Sequence, residues 1–291
     1  LWLFETHSER ESTVKFSVME LFQHPAHKTV RQVIDDAIEQ AVVAEELGFD
    51  GIWLAEHHFS TYGVAGSPLL IASAIAQRTE RIRIGTAVLV LPFYEPIRLA
   101  EEIALLDHLS NGRIQIGIGR GYQPEEFRGF RVDQSASREI ANEVVEILQL
   151  AWTEDRFSFD GEHFQVDDLS VLPKPLQQPH PPLYQAAVSM GSFEAAGKSG
   201  AQILTSPNFT PLETVKKQFD VYEQALVTAG FDPTQYERPM MQKVYIGEDA
   251  TDAYDTPKSH AEWYQALLAT LVPGADGHAP KGYEQWDRIR G

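Results

Sequence analysis

No cysteine occurs among the 291 residues. That absence excludes disulfides, thiolate metal centres and a cysteine nucleophile, and it agrees with a reducing, cytoplasmic setting. Basic side chains are also scarce: 24 Lys and Arg stand against 42 Asp and Glu, a formal charge of −18. Such a surface repels phosphate backbones and anionic headgroups, so neither nucleic acid nor a membrane is an expected partner. No apolar run approaches the ~18 residues needed to cross a bilayer, and no secretory pattern opens the chain. The sequence has no HExxH, and no GxGxxG follows the first strand-like run. The helix-borne zinc pair and the dinucleotide fingerprint are thereby set aside, and no metal is expected.

What is present is an alternation of short apolar runs and amphipathic stretches. KFSVMELF (15–22), FDGIWLAEHH (49–58), RIRIGTAVLVLP (81–92) and GRIQIGIGRG (112–121) read as the first four strands. PLYQAAVS (182–189), AQILTSPNF (201–209) and PMMQKVYIGE (239–248) read as the next three. Val30, Val33, Ile34, Ala37, Ile38, Ala41 and Val42 recur at helical spacing, with Thr29 placed to cap and Gly48 to stop the helix. Further helices are expected at 68–78, 96–108, 137–151, 192–198 and 211–229. Nearly continuous apolar strands imply a sheet buried on both faces, and helices of this length are the crossovers that parallel strands need.

These features point to α/β architecture, and polar clusters after several different strands favour a (β/α)8 barrel over a doubly wound sheet. FSFDGEHFQV (157–166) sets Asp-Gly between alternating aromatics, a hairpin excursion before strand five. Seven strands can be counted and an eighth is not readable; two more helical stretches are expected, at 258–272 and 282–289. Residues 14–291 therefore read as one C-terminally incomplete barrel domain, with 1–13 as an extra segment.

Four stretches carry chemistry, and each has a plainer structural reading. Glu56-His57-His58 ends an apolar strand; adjacent side chains on a strand face opposite ways, so one histidine can face the barrel axis as a proton donor or acceptor. The plain alternative is a histidine making structural hydrogen bonds at the rim. GIGRG (117–121) places Arg120 among glycines, as a phosphate partner or as tight packing. Ser189, Met190, Gly191 and Ser192 lead from a strand into a helix, as an anion site or an ordinary N-cap. Gly85, Thr86 and Ala87 offer small side chains to a flat ring, or simply core.

In this order, WLAEHHFSTYGVAGSP, GTAVLVLP, EPIRLAEEIALLDHLSNGR, GIGRGY and the Ser189–Ser192 turn resemble the bacterial-luciferase-like flavin monooxygenases. The resemblance spans roughly residues 14–250. It implies a (β/α)8 barrel, usually a homodimer, that takes reduced FMN from a separate flavin reductase. With O2 it would form a C4a-peroxyflavin and oxygenate a small organic substrate, by attack on an aldehyde or ketone or by hydroxylation of a carbon. By the same resemblance His57 is catalytic and Glu56 supports it. Arg120 and the Ser189, Met190, Gly191, Ser192 turn hold the phosphate. The Thr86-Ala87-Val88 backbone lines the ring, with a non-proline cis peptide at Ala87–Val88. Two positions depart from the pattern: Gly119 stands where light-emitting members carry Cys, and Val188 replaces an acidic residue. Rival readings are a deazaflavin F420-dependent hydride transfer without O2, and a non-catalytic flavin-binding protein.

Overall fold

The computed structural model describes residues 14–207, 210–274, 279–280 and 282–283. The expected segment 1–13 and most of the helix expected at 282–289 lie outside these residues. Strand β1 (Ser17–Glu20) leads to helix α1 (Val30–Glu46), which opens on a capping box: Thr29 Oγ1 accepts the Gln32 N–H, and Gln32 Oε1 accepts the Thr29 N–H. Gly48, at a φ of 82°, turns the chain out of the helix. The unit repeats with β2 (Gly51–Leu54), α2 (Pro68–Ala76), β3 (Arg83–Thr86), α3 (Pro96–Leu109) and β5 (Ile114–Gly119), where the two-residue β4 (Leu89–Val90) precedes α3. A short helix α4 (Pro124–Phe130) and the long α5 (Ser137–Thr153) follow, and then the antiparallel hairpin β6 (Phe157–Asp160) and β7 (Gln165–Leu169). The chain resumes with β8 (Leu183–Ala186), α6 (Met190–Ser199), β9 (Gln202–Leu204), α7 (Leu212–Thr228) and α8 (Ala250–Leu271).

The main strands are parallel, in the order β1-β2-β3-β5-β8-β9, with β4 added beside β5. They curl into an open part of a barrel. Helices α1, α2, α3 and α5 cover the outer face with a continuous apolar layer that includes Ile52, Leu54, Ile84, Ile103 and Ile147. Each such side chain, wholly buried, contributes about 1.5–3 kcal/mol. A second cluster, Phe193, Ile203, Tyr222 and Leu226, packs α6 and α7 over the far edge.

Three expectations need correction. The run 81–92 is not one strand. Thr86 Oγ1 donates to the Gly117 carbonyl at 2.8 Å and accepts the Gly117 N–H at 3.0 Å, so a side chain replaces the ladder there. The ladder resumes only at Leu89 opposite Ile118, beyond a cis peptide at Ala87–Val88. The seventh strand, 239–248, shrinks to a single bridge between Thr205 and Met240. Its neighbour β9 is three residues long, and Val244 and Ile246 stay exposed beyond its end with no ladder to join. The helix expected at 258–272 begins eight residues earlier, because Asp249 caps the N–H groups of Thr251 and Asp252 and Pro257 is accommodated within the helix.

The end of the trough away from the strand C-termini is plugged by polar contacts. Tyr184 Oη donates to Glu237 Oε2 at 2.7 Å and accepts from Gln115 Nε2 at 2.8 Å, while Lys15 and Arg83 pair with Glu237. Burial opposes ionisation of Glu237, but Lys15, Tyr184 and Arg83 outweigh it and hold the carboxyl below its ordinary range.

Glu20, at the end of β1, shows the opposite balance. Burial, and after it the Asp36 carboxylate, push its pKa up to about 7, with Lys28 pulling the other way. A carboxyl raised on folding stabilises the protein at low pH, and that contribution is lost as pH climbs through the folded value. Between about pH 5 and about pH 8 the wild type is expected to lose on the order of 2 kcal/mol relative to Glu20→Gln. Urea denaturation of both proteins across that range checks this; parallel pH dependences would contradict it.

Candidate active site

The parallel strands share one polarity, so their C-terminal ends converge on one rim of a cavity of about 1760 Å³ that extends along the strands to Lys15, Arg83 and Glu237 at the other end. Glu56, His57, Ala87, Val88, Arg120, Ser189 and Ser192 all line it. The doubled histidine divides, although both residues lie beyond the end of β2. His57 faces the cavity, its ring edge-on to Tyr62 at 4.6 Å. His58 turns away, packing edge-on against Phe130 at 4.6 Å with Nε2 3.0 Å from Glu56 Oε1.

The support expected for His57 from Glu56 comes instead from Glu126. Its Oε1 lies 3.2 Å from His57 Nδ1 and also accepts the His58 N–H at 2.9 Å. A buried carboxylate beside Nδ1 fixes the proton on that nitrogen and leaves Nε2 as the second ring nitrogen. The Gln123 side-chain amide lies within 2.9 Å of Nδ1. With Nδ1 protonated, the Gln123 oxygen, otherwise buried without a partner, is the atom that belongs against the ring.

Glu56 has its own partners. Its Oε2 accepts the Val90 N–H at 3.0 Å and the Tyr94 hydroxyl at 2.8 Å, so the carboxylate anchors the segment that follows Ala87–Val88. Burial and then the Glu56 charge push the Tyr94 phenol up, keeping it a donor. The phenols of Tyr62 and Tyr122 are likewise raised, chiefly by burial. Tyr62 and Tyr264 share a hydrogen bond of 3.0 Å that brings α8 to the cavity wall.

Of the expected ring-lining residues, Ala87 and Val88 line the cavity, while the Thr86 side chain turns into the ladder. Ser189 and Ser192 form a reciprocal capping box at the start of α6, with Met190 and Gly191 as its first turn. The plain reading of that turn as a cap is therefore realised, and the serines also face the cavity. A side chain added at Gly191 would meet nothing within 4 Å, which leaves open space beside this helix start. Gly119 and Gly121 have no such room: a Cβ there would lie 2.7 Å from Val88 and 2.6 Å from Val90.

The sequence profile described as luciferase-like monooxygenase matches residues 14–289. The chain belongs to the luciferase-like monooxygenase family. It is 31% identical over 278 residues to the alkanal monooxygenase alpha chain of the Kryptophanaron alfredi symbiont, covering 94% of this chain and 78% of that one. It is 31% identical to the oxygenase component of a flavin-dependent trigonelline monooxygenase from Acinetobacter baylyi, covering 78% and 63%. The crystal structure of the monooxygenase RslO1 from Streptomyces bottropensis superposes with a TM-score of 0.84 at 30% identity, covering 95% and 82%. At lower identity the fold alone is shared. The oxygenating constituent of 3,6-diketocamphane monooxygenase from Pseudomonas putida, in complex with FMN, has 20% identity, a TM-score of 0.73 and coverage of 88% and 78%. An F420-dependent secondary alcohol dehydrogenase has 21%, 0.74, and 95% and 80%.

The luciferase-like site fits a flavin by its donor chemistry. Arg120 and Arg138 give a strongly acidic chain cations in the cavity wall, and Arg120 follows β5, whose neighbour in the sheet, β8, leads to the start of α6. Ala87 and Val88, with Val88 packed against Gly119, form a shelf on the cavity wall.

Sequence reading missed Gln123 and Glu126, because α4 was not anticipated. The available signal was Pro124 at the first helical position with Glu125 and Glu126 in the first turn. Replacing Glu126 by Leu strands the His58 N–H and leaves His57 Nδ1–H with Gln123 alone. The expected loss is about 2–3 kcal/mol, with a smaller loss for Glu126→Gln. Denaturant midpoints of the two variants check this, and an unchanged Glu126→Leu midpoint would contradict the assignment.

Proposed function

We propose that this chain is the oxygenase component of a two-component monooxygenase, taking reduced FMN from a separate flavin reductase and using O2 to oxygenate a small aldehyde or ketone. The observation that carries the reading is His57, held through Nδ1 by Glu126 at the rim of a cavity also lined by Arg120, Ser189 and Ser192. The named oxygenase component among the relatives and the FMN complex among the fold neighbours support it.

Reduced FMN would supply both electrons, so that one oxygen atom enters the substrate and the other leaves as water. The protein's part is to bind, orient and move a proton. His57 Nε2 takes or returns the proton at the reacting centre, while Glu126 keeps the ring in one tautomer. Arg120 and the first turn of α6, Ser189 to Ser192, hold the phosphate. Ala87 and Val88 seat the ring, and Glu56 fixes the segment behind them through Val90 and Tyr94. Tyr62, Tyr264 and Leu268 enclose the site against water. The proposal includes a homodimer in the cytoplasm. Leu70 on α2 and Leu105 and Leu109 on the adjoining α3 are exposed apolar groups available to a second copy. Among the described residues no helix is long and apolar enough to cross a membrane.

The test is anaerobic binding of reduced FMN, then exposure to O2 with aldehyde and ketone substrates, following product and hydrogen peroxide. His57→Ala is expected to bind FMN as well as the wild type, to release peroxide, and to form product on the order of 100-fold more slowly. Unchanged product and peroxide would remove His57 from the chemistry. Turnover with F420 in the absence of O2 would replace the reading with hydride transfer. Stoichiometric flavin binding without turnover of any donor would leave a binding protein.

A further inference from the structure

The Arg120 side of the cavity has a wall that the strand-and-helix repeat does not supply. Residues 282–283 return to the end of β5, and there Tyr283 is 1% exposed. Its hydroxyl donates to the Gly121 carbonyl at 2.9 Å and shares a 2.8 Å hydrogen bond with Ser137 at the start of α5. These two bonds fix the ring between two elements. The Arg120 guanidinium lies over its face, 4.0 Å from the centroid, and Nη2 donates to the Gly282 carbonyl. Gly282 sits at a φ of 85°, and a Cβ there would come within 3.2 Å of Arg120 Nη1, so both the backbone turn and the close approach favour glycine.

A guanidinium stacked on an aromatic face keeps its N–H donors in its own plane, available at the edge, while the ring offsets part of its desolvation. An arginine without such a surface samples many rotamers, and the entropy of ordering it falls on the ligand. Arg120 follows β5 directly, and Ser189, the N-cap of α6, comes three residues after β8, the neighbouring strand in the sheet. The plane in which Arg120 is held therefore governs whether its donors reach an anion at the α6 start.

We propose that Tyr283 is a positioning residue for phosphate recognition: its anchored ring orients the Arg120 guanidinium, and Gly282 permits the approach, so that these two residues confer preference for a phosphorylated flavin over its dephosphorylated form. This rests on the reading that Arg120 meets the FMN phosphate.

The experiment is titration of the full chain with FMN and, separately, with riboflavin, which has the same ring and no phosphate. The wild type, Tyr283→Phe and Tyr283→Leu are compared. The wild type is expected to prefer FMN. Tyr283→Leu is expected to lose about tenfold in FMN affinity with riboflavin affinity unchanged, and Tyr283→Phe, which keeps the ring, to retain most of the preference. Unchanged riboflavin binding also certifies that the variant pocket is folded. A wild type that does not distinguish the two flavins overturns the phosphate reading itself. A wild-type preference that survives in Tyr283→Leu, or equal loss of both flavins in that variant, overturns only the role of Tyr283.

Discussion

The junction between β3 and β5 is the constraint on which the site depends. Parallel strands need regular pairing, yet here Thr86 inserts its hydroxyl into the ladder and satisfies both backbone groups of Gly117. A Cβ at Gly117 would stand 2.0 Å from the Thr86 carbonyl, so the approach tolerates only glycine. The chain beyond Thr86 then leaves the sheet at Ala87–Val88 and presents backbone to the cavity. The buried Glu56 carboxylate catches it again at Val90 and Tyr94. On the other side β5 runs on to Arg120, Gln123 and Glu126, so one junction sets the spacing between the flat shelf, the cationic wall and the support of His57.

The acidic excess has a structural use beyond repelling polyanions. Glu45 accepts the N–H groups of Glu80, Arg81 and Ile82, and Glu143 accepts those of Glu162, His163 and Phe164. Burial works against both charges, but three backbone donors apiece outweigh it and lower both pKa values. Asp107 does similar work, holding the Gln177 backbone N–H and side-chain amide and so tying the proline-rich stretch 172–182, between β7 and β8, to α3. Carboxylates thereby fix loops that lack a ladder of their own.

Much of the fold was legible because periodicity and caps are local. The capping box at Thr29, the stop at Gly48, the parallel strands through β9 and the hairpin at Asp160-Gly161 all follow from residues within a few positions of one another. The strand expected at 239–248 failed for a non-local reason. Its apolar character is real, but a strand needs a paired neighbour, and beyond Met240 the chain outruns the short β9. Helix α4 was missed because seven residues hold too few turns to show an apolar period.

The sequence by itself determined the α/β alternation and the placing of His57, Arg120 and the Ser189 turn in the segments that follow strands, since apolar periodicity and the residues that end it are local. Only the tertiary structure decided which carboxylate serves which histidine. Glu56 is adjacent to His57 in sequence, yet its carboxylate is taken by His58, Val90 and Tyr94, and Glu126 reaches the imidazole from 69 positions away. Tyr283 meets Arg120 across a still longer separation. Hydrogen bonds and stacking act over 3–4 Å, and which residues come that close is set by how strands and helices pack, not by their order in the chain.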